Sequence, residues 1–387
     1  MPNKRLAIFA THPIQYQVPI WKQLASTEGL EVVVHYLSDH SIKGGLDKGF
    51  GVEVTWDVPL LEGYEYRFIE RDTDFTKKHK VKIPNVRGLL TEGKFDSVLI
   101  QGYTHKFERD VVVEAKRLGI RTILRAELSD SAKKRGLIKQ LLRDAYLWWF
   151  YRHIDAFCRV GEQAGKHLQR RGIDNKKIFF SPYSIDSEFF ESQKKLFDRN
   201  AIRQKLSFND DSIVLLFCGK LIDCKNPFLL IEAIEKISYK NIHLIIVGDG
   251  PLRRDFEQRA RLVLGDRLLM AGFVNQTQLG KYYCASNIFI LPSKSETWGL
   301  VVNEAMLFGL PAIVSDNVGC HSDLIIEDQT GFVFENNNVD SLSEAIMKIV
   351  QNKRLLLQMG NNSAEHIKNY STQASVKGIL DALAMNH

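Results

Sequence analysis

The sequence predicts an α/β protein of two domains, each built on a doubly wound parallel sheet. Three observations carry this expectation. The chain has 387 residues, more than one hydrophobic core usually supports, so two domains are the default. Apolar runs of strand length alternate with segments of helical spacing in both halves, as in parallel sheets covered by helices. The stretch Ile288 to Ser315, IFILPSKSETWGLVVNEAMLFGLPAIVS, shows that alternation most completely. There Ile288 to Leu291 is an apolar strand that Pro292 stops. Ser293 to Gly299 is polar and small, hence a loop. Leu300, Val301, Glu304, Ala305 and Phe308 follow helical spacing, Gly309 suits the helix end, and Pro311 forbids its continuation.

Arg5 to Ala10 reads as the first strand, followed by the loop Thr11-His12-Pro13-Ile14-Gln15-Tyr16 and a helix with Pro19 near its start. Glu31 to Leu37 is the second strand. Ser38 to Tyr64 reads as a long ordered loop, a structural excursion with a substrate-binding flap as the alternative. Phe95 to Gln101, Arg121 to Ala126, Asp155 to Val160 and Lys177 to Ser181 complete the first sheet. Strands at Ser212 to Cys218, Asn241 to Val247, Leu268 to Phe273, Ile288 to Leu291 and Ala312 to Ser315 form the second. The expected division is 1–189, 190–371 and a final helix within 372–387.

Composition narrows the class. Hydrophobic content of 44% and charged content of 25% are those of a soluble globular chain. No run of about 18 apolar residues occurs, and the apolar part of MPNKRLAIFATHP is too short for a signal peptide. The reading is a cytoplasmic protein. Five scattered cysteines (158, 218, 224, 284, 320) without a C-x-x-C pair read as reduced core residues, not disulfides or a zinc site. A net charge of +6 suits anionic ligands or surfaces without implying nucleic acid.

Ser131 to Arg152 departs from the average. Lys133, Lys134, Arg135, Lys139, Arg143 and Arg152 stand against Asp144 alone, and Leu137, Leu141, Ala145 and Trp148 follow helical spacing. Two readings stand side by side: an interfacial helix on an anionic membrane, at the inner face of the cytoplasmic membrane, or a core helix whose polar face is basic. Asp72-Thr73-Asp74 matches a metal-binding D-x-D, but a three-residue match is common by chance and is discounted.

The chemistry gathers in the central stretch. Glu296 lies in the loop and Glu304 one turn into the helix, with the amides of Trp298, Gly299 and Leu300 between them. A helix start favours an anion, so a diphosphate fits there, with a sugar hydroxyl on each carboxylate. Spacing alone fits an ordinary surface loop better. The surrounding frame changes this. P-S-x-x-E-x-x-G-L followed by E-A-M-x-x-G-x-P, read from Pro292 to Pro311, resembles the signature of the retaining glycosyltransferase family 4, which has the GT-B fold. Gly219-Lys220-Leu221-Ile222-Asp223-Cys224-Lys225-Asn226 resembles that family's G-R-x4-K-G element, with Lys220 for the usual Arg and Asn226 for the usual Gly. The Gly248-Asp249-Gly250-Pro251 turn also matches. SPYSIDSEFF resembles its interdomain link. The glycine pair that many members carry in the first loop is absent, and His12, Gln15 and Tyr16 stand there.

The resemblance implies two Rossmann-like domains facing across a cleft. It implies a donor nucleotide sugar, a glycan or lipid-linked hydroxyl acceptor, no metal and no other cofactor, in cell-surface glycan or glycoconjugate synthesis. It assigns Glu296 to the transferred sugar, Glu304 to ribose, and Lys220 and Lys225 to the diphosphate. It gives His105 a place against the donor sugar. Gly219, Gly250, Phe273, Val274, Trp298, Gly299 and Leu300 would line the nucleotide, and His12 would contact donor or acceptor or cap its helix. A sugar-nucleotide epimerase and a non-catalytic sugar-nucleotide sensor are the alternatives.

Overall fold

In the first half, apolar runs supply strands buried on both faces. Leu6, Ala7, Ile8 and Phe9 are each at most 1% exposed, as a parallel strand covered by helices on both sides requires. The structure is a computed structural model and describes residues 3–47, 49–69, 82–130, 136–239 and 241–385. In chain order the strands are β1 (Lys4–Ala10), β2 (Leu30–Tyr36), β3 (Gly45–Asp47), β4 (Val52–Val54), β5 (Glu65–Phe68), β6 (Ser97–Ile100), β7 (Arg121–Ala126) and β8 (Ala156–Arg159). They continue as β9 (Ile178–Phe180), β10 (Ile213–Cys218), β11 (Ile242–Val247), β12 (Leu268–Gly272), β13 (Ile288–Leu291), β14 (Ala312–Ser315) and β15 (Gly331–Phe334).

Two compact units result. One comprises Met1–Lys43, Pro59–Ser184 and Ser371–His387, the other Gly44–Val58 and Ile185–Tyr370. The first holds a seven-stranded sheet in the order β5-β2-β1-β6-β7-β8-β9, with every pair parallel. The second holds a six-stranded sheet in the order β12-β11-β10-β13-β14-β15, again parallel throughout. Strand order reverses beside β1 in one sheet and beside β10 in the other. Ligands of such sheets gather at the carboxyl ends of the strands flanking that reversal.

The final helix, Thr372–Ala384, belongs to the first unit for visible reasons. Gly378 packs so closely on β9 that a Cβ there would lie 1.9 Å from the Phe180 carbonyl oxygen. Arg121 donates from Nη1 to the carbonyls of Ala382 and Leu383 at 3.2 and 3.0 Å, placing a cation at the helix C-terminus. Arg125 is 1% exposed and donates to Ser181 Oγ at 2.9 Å, the Pro182 carbonyl at 2.9 Å and Ser375 Oγ at 3.1 Å. Arg125 thus ties β7, β9 and the last helix together.

Three expectations are corrected. Ser38 to Tyr64 is not one loop: β3 and β4 pair antiparallel inside it, and Gly44–Val58 joins the second unit although it lies within 1–189. Strands of three residues in a glycine-rich run leave too little alternation to read. Strand β5, with the polar sequence EYRF, and strand β15 were also missed. Cys224 is exposed, whereas the other four cysteines are buried and all five are free. In the helix Leu137–Tyr151 the inward residues are Leu147, Phe150 and Tyr151, while Leu141, Ala145 and Trp148 face outward. Asp72-Thr73-Asp74 and Lys133 to Arg135 lie outside the described residues.

Candidate active site

The reversal beside β10 lies between β10 and β13, so the loops after these two strands face one another. They are stitched by the Lys294 amide, which donates to the Cys224 carbonyl at 2.8 Å. Lys225 and Glu296 meet across this junction in an ion pair whose side chains are only 19% and 18% exposed. The pair is thus sheltered from solvent screening. Beside it, Asn226 takes the left-handed conformation, φ 52° and ψ 47°. Asn is among the few side chains that enter this region readily, which explains how it stands where a glycine was expected.

Glu296 has a rigid backbone. Its amide donates to the Asn317 carbonyl at 3.1 Å and its carbonyl accepts from Gly319 at 2.9 Å. The Trp298 carbonyl accepts from Cys320 at 3.0 Å. Gly299 follows with φ 98° and caps the helix Leu300–Leu307, whose first amides have no acceptor within the helix. The Trp298 indole is buried and donates to Asn303 Oδ1 at 2.9 Å, so that side chain supports the loop from within.

Glu304 sits one turn into this helix, 7% exposed, and its Oε2 accepts from the Tyr283 hydroxyl at 2.6 Å. Burial pushes its carboxyl up to about 7, against the pull of the Tyr283 hydrogen bond. The adjoining Cys218 thiol is pushed up to about 12, by burial first and then by the Glu304 charge. Tyr283 in turn stacks on Phe308 with ring centroids 5.2 Å apart.

The remaining elements of this rim come from β10, β11 and β12. A Cβ on Gly248 would lie 1.9 Å from the Gly219 carbonyl oxygen, and one on Gly250 would lie 2.5 Å from that of Leu221. The glycines therefore let two strand ends approach backbone to backbone. Phe273 and Val274 close β12 and are half-buried. The β3–β4 hairpin packs on this rim. Phe50 meets Phe273 edge to face at 5.0 Å, Asn275 Nδ2 donates to the Thr55 carbonyl at 2.6 Å, and Thr277 Oγ1 donates to Asp57 at 2.5 Å. Lys220 donates to both Asp47 oxygens at 2.8 and 2.9 Å and lies 4.8 Å from the Phe50 ring centre. Burial would raise the Asp47 carboxyl, but Lys220 and the Phe50 and Gly49 amides hold it below its usual value.

The second unit thus brings together Lys225 and Glu296, and sets Gly219, Gly250, Gly299, Leu300 and Glu304 on the same edge of one sheet. His12 and His105 belong to the first unit, after β1 and β6, the strands flanking its own reversal. The His12 Nδ1 lies 3.0 Å from Thr11 Oγ1, and Gln17, not His12, precedes the first helix. The His105 side chain is 13% exposed, and its amide donates to Glu108 Oε2 at 2.8 Å at the start of Lys106–Arg117. Sequence reasoning missed Tyr283, Asp47 and Phe50. Each comes from a different element than the residue it serves, so no local pattern announces it.

A family model described as Glycosyl transferases group 1 matches residues 198–366. The chain is 30% identical over 304 residues to the UDP-Gal:alpha-D-GlcNAc-diphosphoundecaprenol alpha-1,3-galactosyltransferase of Escherichia coli, a match covering 76% of each protein. Several further curated relatives are spanned over about half of their own length. Among solved structures, a glycosyltransferase from Rickettsia africae superposes with a TM-score of 0.74 over 100% of both chains at 15% identity. Anabaena HepE in complex with UDP superposes with a TM-score of 0.75, covering 98% of this chain and 99% of that one, at 15% identity. These two likenesses speak for the fold, which is GT-B. With its matched family model and this relative, covered over three quarters of its length, this chain belongs to the glycosyl transferases group 1 family.

Proposed function

We propose that this glycosyltransferase acts with retention, moving a sugar from a nucleotide diphosphate sugar to a hydroxyl of a glycan or lipid-linked acceptor. The observation that carries the reading is the sheltered Lys225–Glu296 pair at the reversal of the second sheet, next to the start of the helix that bears Glu304. Glu304 is assigned to the ribose hydroxyls, the helix start with Lys225 to the diphosphate, and Glu296 to the hydroxyls of the transferred sugar. Lys220 reaches the diphosphate by exchanging Asp47 for a phosphate oxygen. The acceptor attacks from the face the phosphate leaves, and a leaving phosphate oxygen takes its proton. Catalysis is then chiefly positioning and charge stabilisation. His12 and His105 are assigned to the donor or acceptor from the first unit.

The name of the Escherichia coli relative supports UDP-galactose as the first donor to try and a diphosphate-linked lipid as the first acceptor. A panel of nucleotide sugars, scored for nucleotide release with and without such acceptors, tests the reading. The product should keep the donor's anomeric configuration by NMR. Interconversion of the donor without transfer would mark an epimerase, and binding without turnover a sensor.

The leaving diphosphate is assigned to fixed groups, with no metal and no other cofactor. Lys220, Lys225 and the helix start need little reorganisation as charge develops. Turnover is expected to persist in excess EDTA. Loss on chelation with recovery in magnesium or manganese would reassign the work to a cation.

A lipid-linked acceptor brings the chain to a membrane, yet among the described residues no helix is long and apolar enough to cross one. The helix Leu137–Tyr151 supports peripheral contact. Ile138, Leu141, Leu142 and Trp148 are 75%, 69%, 67% and 62% exposed, and Lys139 is exposed beside them. Arg143 does not share this face. Its side chain is 12% exposed and pairs at 3.0 Å with Asp130, which also binds Arg171. Wild type is expected to cosediment with phosphatidylglycerol vesicles at low salt, each surface cation contributing about 1 kcal/mol. Leu141→Gln with Trp148→Ser and Lys139→Glu should release it while nucleotide affinity stays unchanged. A wild type that ignores these vesicles would make the helix purely structural.

A further inference from the structure

The first unit has a cavity of about 780 Å³ that plays no part in the site described above. Its floor is one face of the helix Lys106–Arg117, on which Lys106, Arg109, Asp110, Val113, Glu114 and Arg117 recur at helical spacing. Residues 83–87 form one wall and Trp149 contributes to another. A volume of this size takes a small organic ligand.

Its charge is unbalanced. Arg87, Lys106, Arg109 and Arg117 line it against Asp110 and Glu114 alone. Glu114 is shared by Arg87 at 2.9 Å and Arg117 at 3.2 Å, and Asp110 is taken by Lys106 at 2.6 Å. Arg109 meets no carboxylate among the described residues. Its guanidinium lies over the Tyr146 ring, 5.9 Å from the centre, and its Nε is buried without an acceptor. A buried guanidinium N–H without an acceptor is costly, and an arginine fork suits phosphate oxygens.

The wall is as informative as the floor. Trp149 is 42% exposed and belongs to the helix whose Ile138, Leu141, Leu142 and Trp148 stand out into solvent. A cationic cavity beside an exposed apolar helix has the layout of an amphiphile with an anionic head and a hydrocarbon tail.

We propose that this cavity binds the phosphate head of a lipid, with Arg109 as its principal ligand, Arg87 and Arg117 as supporting cations, and Trp149 against the first carbons of the tail. This deepens the function proposed above and rests on its lipid-linked acceptor. The shared chemistry is a phosphate ester on a hydrocarbon. Two sources carry it: an isoprenyl diphosphate, as in the acceptor, and a membrane phospholipid.

The test is titration of the full chain with geranyl diphosphate, with dihexanoyl phosphatidic acid and with inorganic diphosphate, read by tryptophan fluorescence. Trp149→Phe identifies the reporting residue. Binding of either lipid in preference to inorganic diphosphate, weakened at least tenfold in Arg109→Gln, is expected. Geranyl diphosphate alone would assign the site to the acceptor, phosphatidic acid alone to the membrane, and both to either head. Arg87→Gln, at an exposed arginine, should weaken binding in the same direction and guards against a misfolded Arg109 variant. Saturable binding unchanged in both variants, or no binding at all, overturns the proposal. Slow donor hydrolysis to water, measured alongside, should be equal in wild type and both variants. Its absence from all three would fault the transferase reading instead, independently of the lipid titration.

Discussion

Glu296→Ala is expected to cut the transfer rate at least about 100-fold while the affinity for the free nucleoside diphosphate stays close to wild type. The size follows from the cost of removing one preorganised polar group from a transition state, roughly 10²–10³ in rate. The selectivity follows from position. Glu296 belongs to the loop after β13, zipped to residues 317–319 by its own amide and carbonyl, whereas Glu304 lies deeper on the helix against Tyr283. A nucleotide without its sugar has little use for Glu296 in this assignment. Lys225→Ala is expected to lose a similar factor, because its ammonium is assigned to the leaving diphosphate. The two side chains pair directly with each other in the structure. Removing either leaves the other charge sheltered and unpaired, so the double variant should be little slower than either single one. Steady-state rates with equilibrium UDP binding for the three variants check this. Unchanged turnover in a folded Glu296→Ala protein would end the assignment, and strictly additive losses would show that the pair does not act as one.

How much of this was legible beforehand depends on the range over which each feature is encoded. Strands such as Ile213–Cys218 and Ile288–Leu291 are buried on both faces, so each is a continuous apolar run in the sequence. The β3–β4 hairpin and β5 are short and partly polar, and they exist because neighbours pair with them. The helix Leu137–Tyr151 has correct periodicity in the sequence but apolar residues on two sides, so spacing alone chose the exposed stripe. The candidate site divides in the same way. Glu296, Glu304 and the glycine turns are local motifs and could be named. The partners that define their chemistry come from elsewhere in the chain: Tyr283 for Glu304, Asp47 for Lys220 and Asn317 for Glu296.

The second large effect concerns pH. Burial pushes the Glu304 carboxyl in the folded protein up to about 7 against a usual 4.5, with the Tyr283 hydrogen bond opposing the shift. Below pH 4.5 it is protonated whether the chain is folded or not, and its stabilising contribution is fully present. As pH rises from 4.5 to 7 the unfolded chain loses this proton and the folded one keeps it, so stability falls. Above 7 the loss is complete, at about 3 kcal/mol. His243, whose folded value burial lowers, slopes the opposite way over part of this range, so the Glu304 contribution must be read as a difference from Glu304→Gln, whose amide never ionises. Nucleotide binding should run the other way from stability. Ribose hydroxyls donate to the ionised carboxylate, so binding must remove the Glu304 proton at low pH. Wild-type affinity for UDP is therefore expected to rise about tenfold between pH 6 and 8, while Glu304→Gln binds more weakly with a nearly flat profile. Calorimetric titrations across this range, paired with denaturant unfolding of both proteins, provide the measurement. Parallel UDP profiles for wild type and Glu304→Gln would show that the buried carboxyl does not face the nucleotide.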